Sequence, residues 1–209
     1  NINYRLVPDV TVNEQLQDVA RALRWIRDHG SQYPCDMQNI MLTGDSAGGQ
    51  LAAYSAVLMQ SAQLRKTFDT VDPQMELTAL LLTSPVAFMR DGGLFSLYTK
   101  PMWGTDYKDK ATYPYMDFDQ IIDYAQALPP TYLITSSGDT LANKQTHRLY
   151  EVLQAHGVQA EIKDYAKAEY NQSLPHVFSV LQPFEPAGTA AIDKALAFYQ
   201  QAMTAKAAQ

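Results

Sequence analysis

The stretch Met41-Leu42-Thr43-Gly44-Asp45-Ser46-Ala47-Gly48-Gly49 joins a short apolar run to a helical pattern through a G-x-S-x-G turn. Residues 39–43 have strand length, and Leu51, Ala52, Tyr54, Ser55 and Leu58 recur at helix spacing as far as Gln60. A sharp strand-to-helix turn of this kind lifts one hydroxyl above the end of a sheet, which makes Ser46 the candidate nucleophile. Such a turn is strained and needs small neighbours, a role expected here of Gly44 and Gly48. It also offers the backbone N–H of Ala47, at the helix start, as a donor to an oxyanion. A bare G-x-S-x-G occurs in ordinary loops as well, so the assignment rests on the strand before it and the helix after it.

At 209 residues, 46% of them hydrophobic, the chain is the size of one domain with a sizeable core. A net charge of -6 and no basic cluster longer than Arg65-Lys66 argue against a nucleic-acid partner, because phosphate binding needs a basic surface. No apolar run reaches the roughly 18 to 20 residues of a membrane span. Cys35 is alone, so there is no disulfide framework, and a reducing, cytoplasmic location is expected. The first residue is Asn1 rather than Met, so the lack of a signal peptide carries no information.

Outward from the serine, strands and helices alternate. Residues 3–7 look like the end of a strand closed by Pro8-Asp9, followed by a helix from about Asn13 with Leu16, Val19, Ala20, Leu23 and Ile26 on one face and a stop at His29-Gly30. Residues 77–83 are almost uninterruptedly apolar, as in a strand buried on both faces of a parallel sheet, and Pro85 ends them. After a helix expected over residues 120–128 come a strand over 131–135, a helix over 141–156 closed by Gly157, a strand over 158–165, a polar loop to His176 and a last helix over about 187–203. This order implies a parallel, doubly wound α/β sheet in a single domain. Residues 87–119 break the rhythm. They carry Gly92-Gly93, Pro101, Gly104 and Pro114 and concentrate Phe88, Phe95, Tyr98, Trp103, Tyr107, Tyr113, Tyr115 and Phe118. A long irregular insertion is usually functional, so it is expected to be a lid or pocket wall, the alternative being that its rings pack it onto the core.

A serine hydroxyl needs a base within hydrogen-bond reach, itself held by an anion. His29 and His156 each precede a glycine at a helix end and are expected to cap the negative end of the helix dipole. His147 falls within a helix, on its solvated face. His176 sits in a loop between the last strand and the last helix, a loop that opens onto the same sheet edge as Ser46, and is the candidate base. Asp139 follows a buried strand at its carboxyl end and is the candidate acid, although it could equally cap the next helix. Asp164, inside the last strand, is the alternative acid.

These residues together resemble the α/β-hydrolase fold serine esterases, nearest the hormone-sensitive-lipase-like carboxylesterases and acetyl esterases. Tyr4-Arg5-Leu6-Val7-Pro8-Asp9 is similar to that group's YRLAPE stretch, Gln17-Asp18 and Trp25 to its next helix, and Gly44-Asp45-Ser46-Ala47-Gly48-Gly49 to its GDSAGG elbow. The resemblance implies a mostly parallel sheet with helices on both faces, with Ser46, His176 and Asp139 as nucleophile, base and acid. It also implies hydrolysis of short-chain acyl or small acetyl esters with no metal or cofactor. Two departures stand out. The family's HGGG-type loop, source of the remaining oxyanion donors, has no counterpart here, and Thr140 follows Asp139 where Pro is common. The expectation is therefore the C-terminal two thirds of a longer esterase, incomplete at its N-terminus, with Leu6, Val19 and Leu23 stripped of cover and an exposed first strand inviting a homodimer. A non-catalytic ligand-binding member of the fold and an inactive truncated esterase are the alternatives.

Overall fold

The structure is a computed structural model and describes residues 1–90 and 96–208. Gly92, Gly93 and Phe95 lie outside the described residues. Four strands occur among them: β1 (Met41–Asp45), β2 (Ala79–Thr83), β3 (Thr131–Ser136) and β4 (Ala160–Tyr165). The helices are α1 (Val12–His29), α2 (Ala47–Gln60), α3 (Ala62–Phe68), α4 (Ser96–Trp103), α5 (Asn143–Ala155), α6 (Lys167–Tyr170), α7 (Phe178–Leu181) and α8 (Pro186–Ala207). They fall into two compact units. One comprises Asn1–Met37, Tyr54–Glu76 and Phe88–Ala127, and the other Gln38–Ala53, Leu77–Ala87 and Leu128–Gln209.

The second unit holds the sheet. Its strands run in the order β1-β2-β3-β4, every pair parallel, with Met41 opposite Ala79, Leu80 opposite Thr131 and Thr131 opposite Ala160. All six residues of β3 are buried, and since side chains alternate along a strand, both of its faces are covered. One cover is α8, which lies against β2 and β3. Its inward positions Ala187, Ala191, Ala195 and Ala202 are small enough to let the helix approach closely, and Phe198 fills the remaining space against Tyr132, ring centroids 5.3 Å apart. Helix α5 lies against β3 and β4. It stops where Gly157 takes φ +72°, with Gly157 N–H bonded to Gln154 O and Val158 N–H to Leu153 O, both at 3.0 Å.

The first unit is helical. Val12, Leu16, Val19, Ala20 and Leu23 form the buried face of α1, so Val19 and Leu23 are covered, whereas Leu6 stays 66% exposed. Tyr54, Phe68, Tyr115, Trp103 and Phe118 make a cluster of tilted and edge-on rings at 6.1–6.4 Å, and the first hydroxyl donates to Tyr115 O at 3.1 Å. Trp103 and Phe118, read as lid aromatics or packing rings, pack here, while Tyr98 is half exposed. His29, in this unit, sets Nδ1 2.9 Å from Trp25 O, four residues back at the helix end.

Two expected elements differ. Residues 3–7 form no strand. Arg5 is instead tied to α1: Asp18 accepts from Arg5 N–H at 3.1 Å and from its guanidinium at 2.9 and 2.8 Å, and Gln15 donates to Arg5 O at 2.9 Å. Residues 120–128 form isolated 3-10 turns, Phe118–Gln120 and Ile122–Tyr124, rather than an α-helix. The Gln60 amide takes both backbone groups of Ala127, at 2.5 and 2.8 Å, and Pro129-Pro130 disfavours helix just before it. No helix among the described residues is long and apolar enough to cross a membrane.

Candidate active site

The site lies within the sheet-bearing unit, at the carboxyl ends of its strands. Ser46 stands between β1 and α2 at φ +51°, a left-handed conformation that is costly for a residue with a Cβ. The turn is tied on both sides: Ser46 N–H donates to Thr83 O at 3.0 Å, and Ser46 O accepts from Gln50 N–H at 3.1 Å and Val86 N–H at 3.2 Å. Two glycines are sterically required. A Cβ on Gly44 would sit 2.2 Å from Gly48 O, and one on Gly49 would sit 2.9 Å from Pro85 Cβ. Gly48 itself has nothing within 4 Å of such a carbon, so the second small neighbour that the turn demands is Gly49, not Gly48.

The structure brings Ser46, His176 and Asp139 into one chain of hydrogen bonds. His176 Nε2 lies 2.9 Å from Ser46 Oγ, and its Nδ1 lies 2.9 Å from Asp139 Oδ2. The carboxyl group is fully buried and the imidazole 24% exposed, so the anion is shielded while the base stays within reach of solvent. Asp139 makes the contacts of both readings: Oδ1 caps the following turn by accepting from Leu141 N–H at 3.0 Å and Ala142 N–H at 2.9 Å, leaving Oδ2 for the imidazole. Burial pushes this carboxyl up, but the hydrogen bonds from His176 and the Ala142 N–H outweigh it and hold the group below its ordinary value.

The loop carrying the imidazole is pinned to the strand carrying the acid. Ser136 Oγ donates to Leu174 O at 2.7 Å, and a Cβ on Gly138 would meet that same carbonyl at 2.5 Å. Val177, directly after the base, has φ +52°, an outlier for a β-branched residue, and its N–H-to-O neighbours fold the chain into α7 at once. Left-handed, non-glycine backbone thus occurs at Ser46, at Ser84 just after β2, and next to His176, as expected where local strain serves a constellation.

The other candidates lie elsewhere in this unit. His156 Nδ1 is 2.7 Å from Val152 O, the same capping geometry as at the end of α1. His147 is partly exposed on α5, with Nε2 2.9 Å from Asp164 Oδ2, and Asn143 donates to that oxygen at 2.9 Å. Asp164, the alternative acid, is therefore engaged with a different histidine. Ala47 opens α2, directly after Ser46, where the first N–H groups of a helix have no intrahelical acceptor. Cys35 is exposed and free.

A family model described as alpha/beta hydrolase fold matches residues 1–174, ending two residues short of His176. The probable carboxylic ester hydrolase LipM of Mycobacterium tuberculosis is 27% identical over 201 residues, covering 94% of this chain and 46% of that protein. An acetyl esterase of Salmonella choleraesuis is 24% identical over 179 residues, covering 78% of this chain and 52% of that one. Among solved structures, esterase B from Lactobacillus Rhamnosis superposes with a TM-score of 0.88 at 29% identity, over 98% of this chain and 65% of that one. A tributyrin phosphonate-inhibited form of the same esterase gives 0.87 at 30% identity, over 99% of this chain and 67% of that one. The chain thus spans about half the length of the two sequence relatives.

Proposed function

The chain belongs to the alpha/beta hydrolase fold family, and from that premise we propose that it is a serine carboxylic-ester hydrolase acting on short-chain acyl or small acetyl esters. One observation carries the proposal: the Ser46–His176–Asp139 chain of 2.9 Å contacts, on an elbow where Gly44 and Gly49 have no room for a larger residue. As Ser46 Oγ attacks the ester carbonyl, its proton passes to His176 Nε2, and Asp139 stabilises the imidazolium through Nδ1. The carbonyl oxygen becomes an oxyanion that the Ala47 N–H helps to hold. Collapse expels the alcohol, which takes the proton from Nε2, and leaves an acyl group on Ser46. Water, deprotonated by the same nitrogen, then releases the acid. The ester hydrolases among its relatives, and the phosphonate inhibition of one of them, support this reading.

The test is hydrolysis of p-nitrophenyl esters of graded chain length. Ser46→Ala should lower turnover at least about a thousandfold, as should His176→Ala, with the melting behaviour of the first nearly unchanged because only a partly exposed hydroxyl is lost. Phosphonate labelling should map to the peptide containing Ser46; labelling at another serine, or turnover surviving Ser46→Ala, defeats the assignment. On its sequence, the aromatic insertion over residues 87–119 is proposed as the lid or pocket wall, so aromatic-to-Ala changes there should alter preference for acyl length. A cytoplasmic location and a homodimer are proposed on the same footing, to be checked by fractionation and by sedimentation.

A further inference from the structure

Ser136 closes β3, fully buried, and both of its oxygens are engaged. Its carbonyl accepts from Asp139 N–H at 3.0 Å and from the Asn143 amide at 2.9 Å, so it shapes the turn that carries the acid. Its hydroxyl serves a different segment, donating to Leu174 O at 2.7 Å, two residues before the base. That segment needs an anchor. Pro175 has no N–H, so Leu174-Pro175-His176 cannot be held by a continuous backbone ladder. Leu174 is buried, and an interior carbonyl left unpaired is costly. The earlier part of the loop is fixed from another side: Gln172 donates to Gln182 Oε1 at 3.1 Å and accepts from Ala187 N–H at 3.3 Å, which ties it to the junction of α7 and α8. Gly138 bounds the same Leu174 carbonyl next to the acid, since a Cβ there would lie 2.5 Å from it.

We propose that Ser136 is a positioning residue for the candidate base: its hydroxyl, by holding Leu174 O, keeps the His176 imidazole in line between Asp139 and Ser46. The catalytic meaning of this role rests on the esterase reading, while the positioning itself does not. Ser136 acts through the backbone of the loop rather than on the reacting atoms. What it controls is distance. The imidazole makes a 2.9 Å contact from each of its two nitrogens, so a loop shift that lengthens one is not repaired by turning the ring without disturbing the other. Misplacement by an ångström at such a site can cost about a hundredfold in rate. Without the Ser136 hydroxyl, Leu174 O is left in the interior with its donor gone, and the loop relaxes toward water or another donor.

The test compares the 209-residue chain with its Ser136→Ala and Ser136→Thr variants, each studied well below its own melting midpoint so that loss of folded protein does not enter. Ser136→Ala should lower kcat for p-nitrophenyl ester hydrolysis roughly tenfold or more, with KM little changed. Ser136→Thr keeps a hydroxyl and suits a strand, and should recover most of that loss. If the threonine variant does not fold, Ser136→Cys, a weak donor, takes its place and should fall between serine and alanine. The second readout needs no substrate. The His176 Nδ1 proton, assigned in NMR spectra by its absence from His176→Ala, should lie far downfield in the parent, as a proton held against a carboxylate does. It should move upfield and exchange faster in Ser136→Ala, and return toward the parent position in Ser136→Thr. A merely structural serine would lower the melting midpoint on change to alanine and leave kcat and this proton as they were, and that result overturns the proposal. So does an unchanged proton signal, whatever the activity. A displaced signal in a chain without esterase turnover upholds the positioning role and overturns only the esterase reading.

Discussion

At the elbow, a single methyl group separates two glycines that look alike in sequence. Gly44→Ala places a carbon 2.2 Å from the Gly48 carbonyl, backbone against backbone, where no side chain can rotate away. Gly48→Ala meets nothing within 4 Å and sits in a helix, where alanine is favoured over glycine. Gly44→Ala should therefore cost at least about 2 kcal/mol in urea unfolding, and Gly48→Ala should leave stability equal or raise it by up to about 1 kcal/mol. Equal losses at both positions would contradict the crowding described. Ser46, His176 and Asp139 could be chosen from the sequence because an elbow, a loop histidine and a strand-end acid have recognisable neighbours. The distinction between Gly48 and Gly49 could not, since it depends on where Pro85 lies after the second strand has been placed.

Among the elements, what was legible was whatever carries its own period or its own stop. The apolar run ending at Pro85 became β2, and the amphipathic stretch closed by Gly157 became α5 with a glycine-dependent cap. Residues 3–7 and 120–128 failed the same test, and each is anchored at one residue by distant side chains: the backbone of Arg5 by Asp18 and Gln15, that of Ala127 by Gln60. No local pattern reports such a partner. The short α7 was equally hidden, because it depends on Val177 turning left-handed and on a tight junction with α8. At that junction the Gln182 carbonyl comes so near Gly188 that a Cβ would lie 2.0 Å away. Gly188→Ala should accordingly separate α7 from α8 and cost about 1–3 kcal/mol, read in urea unfolding. A variant as stable as the parent would mean that the junction yields without loss.

The molecule as a whole carries a net charge of -6, and several of its carboxyls are held below their ordinary values by partners formed only on folding. Asp18 is lowered chiefly by its hydrogen bond with Arg5, at an exposed site where solvent weakens the effect. Asp139 is the buried case, lowered against its own desolvation by the imidazole and by backbone N–H groups. Asp117 runs the other way, raised by burial although it accepts from Met89 and Arg90 N–H groups at 2.7 and 3.0 Å. A carboxyl whose folded value is depressed stabilises the fold above its unfolded value, near about 3.9 for Asp, and that contribution is lost as pH falls through the folded value. Replacing Asp139 by Asn keeps an oxygen for the Leu141 and Ala142 N–H groups but removes the titration and the charge. The stability gap between wild type and Asp139→Asn should therefore be full at neutral pH and close progressively only as the pH drops below about 4. Urea unfolding at a series of pH values measures it directly. A gap that stays constant down to acid pH would show that the carboxylate's charge contributes nothing to the fold, and that its buried partners hold it by shape alone.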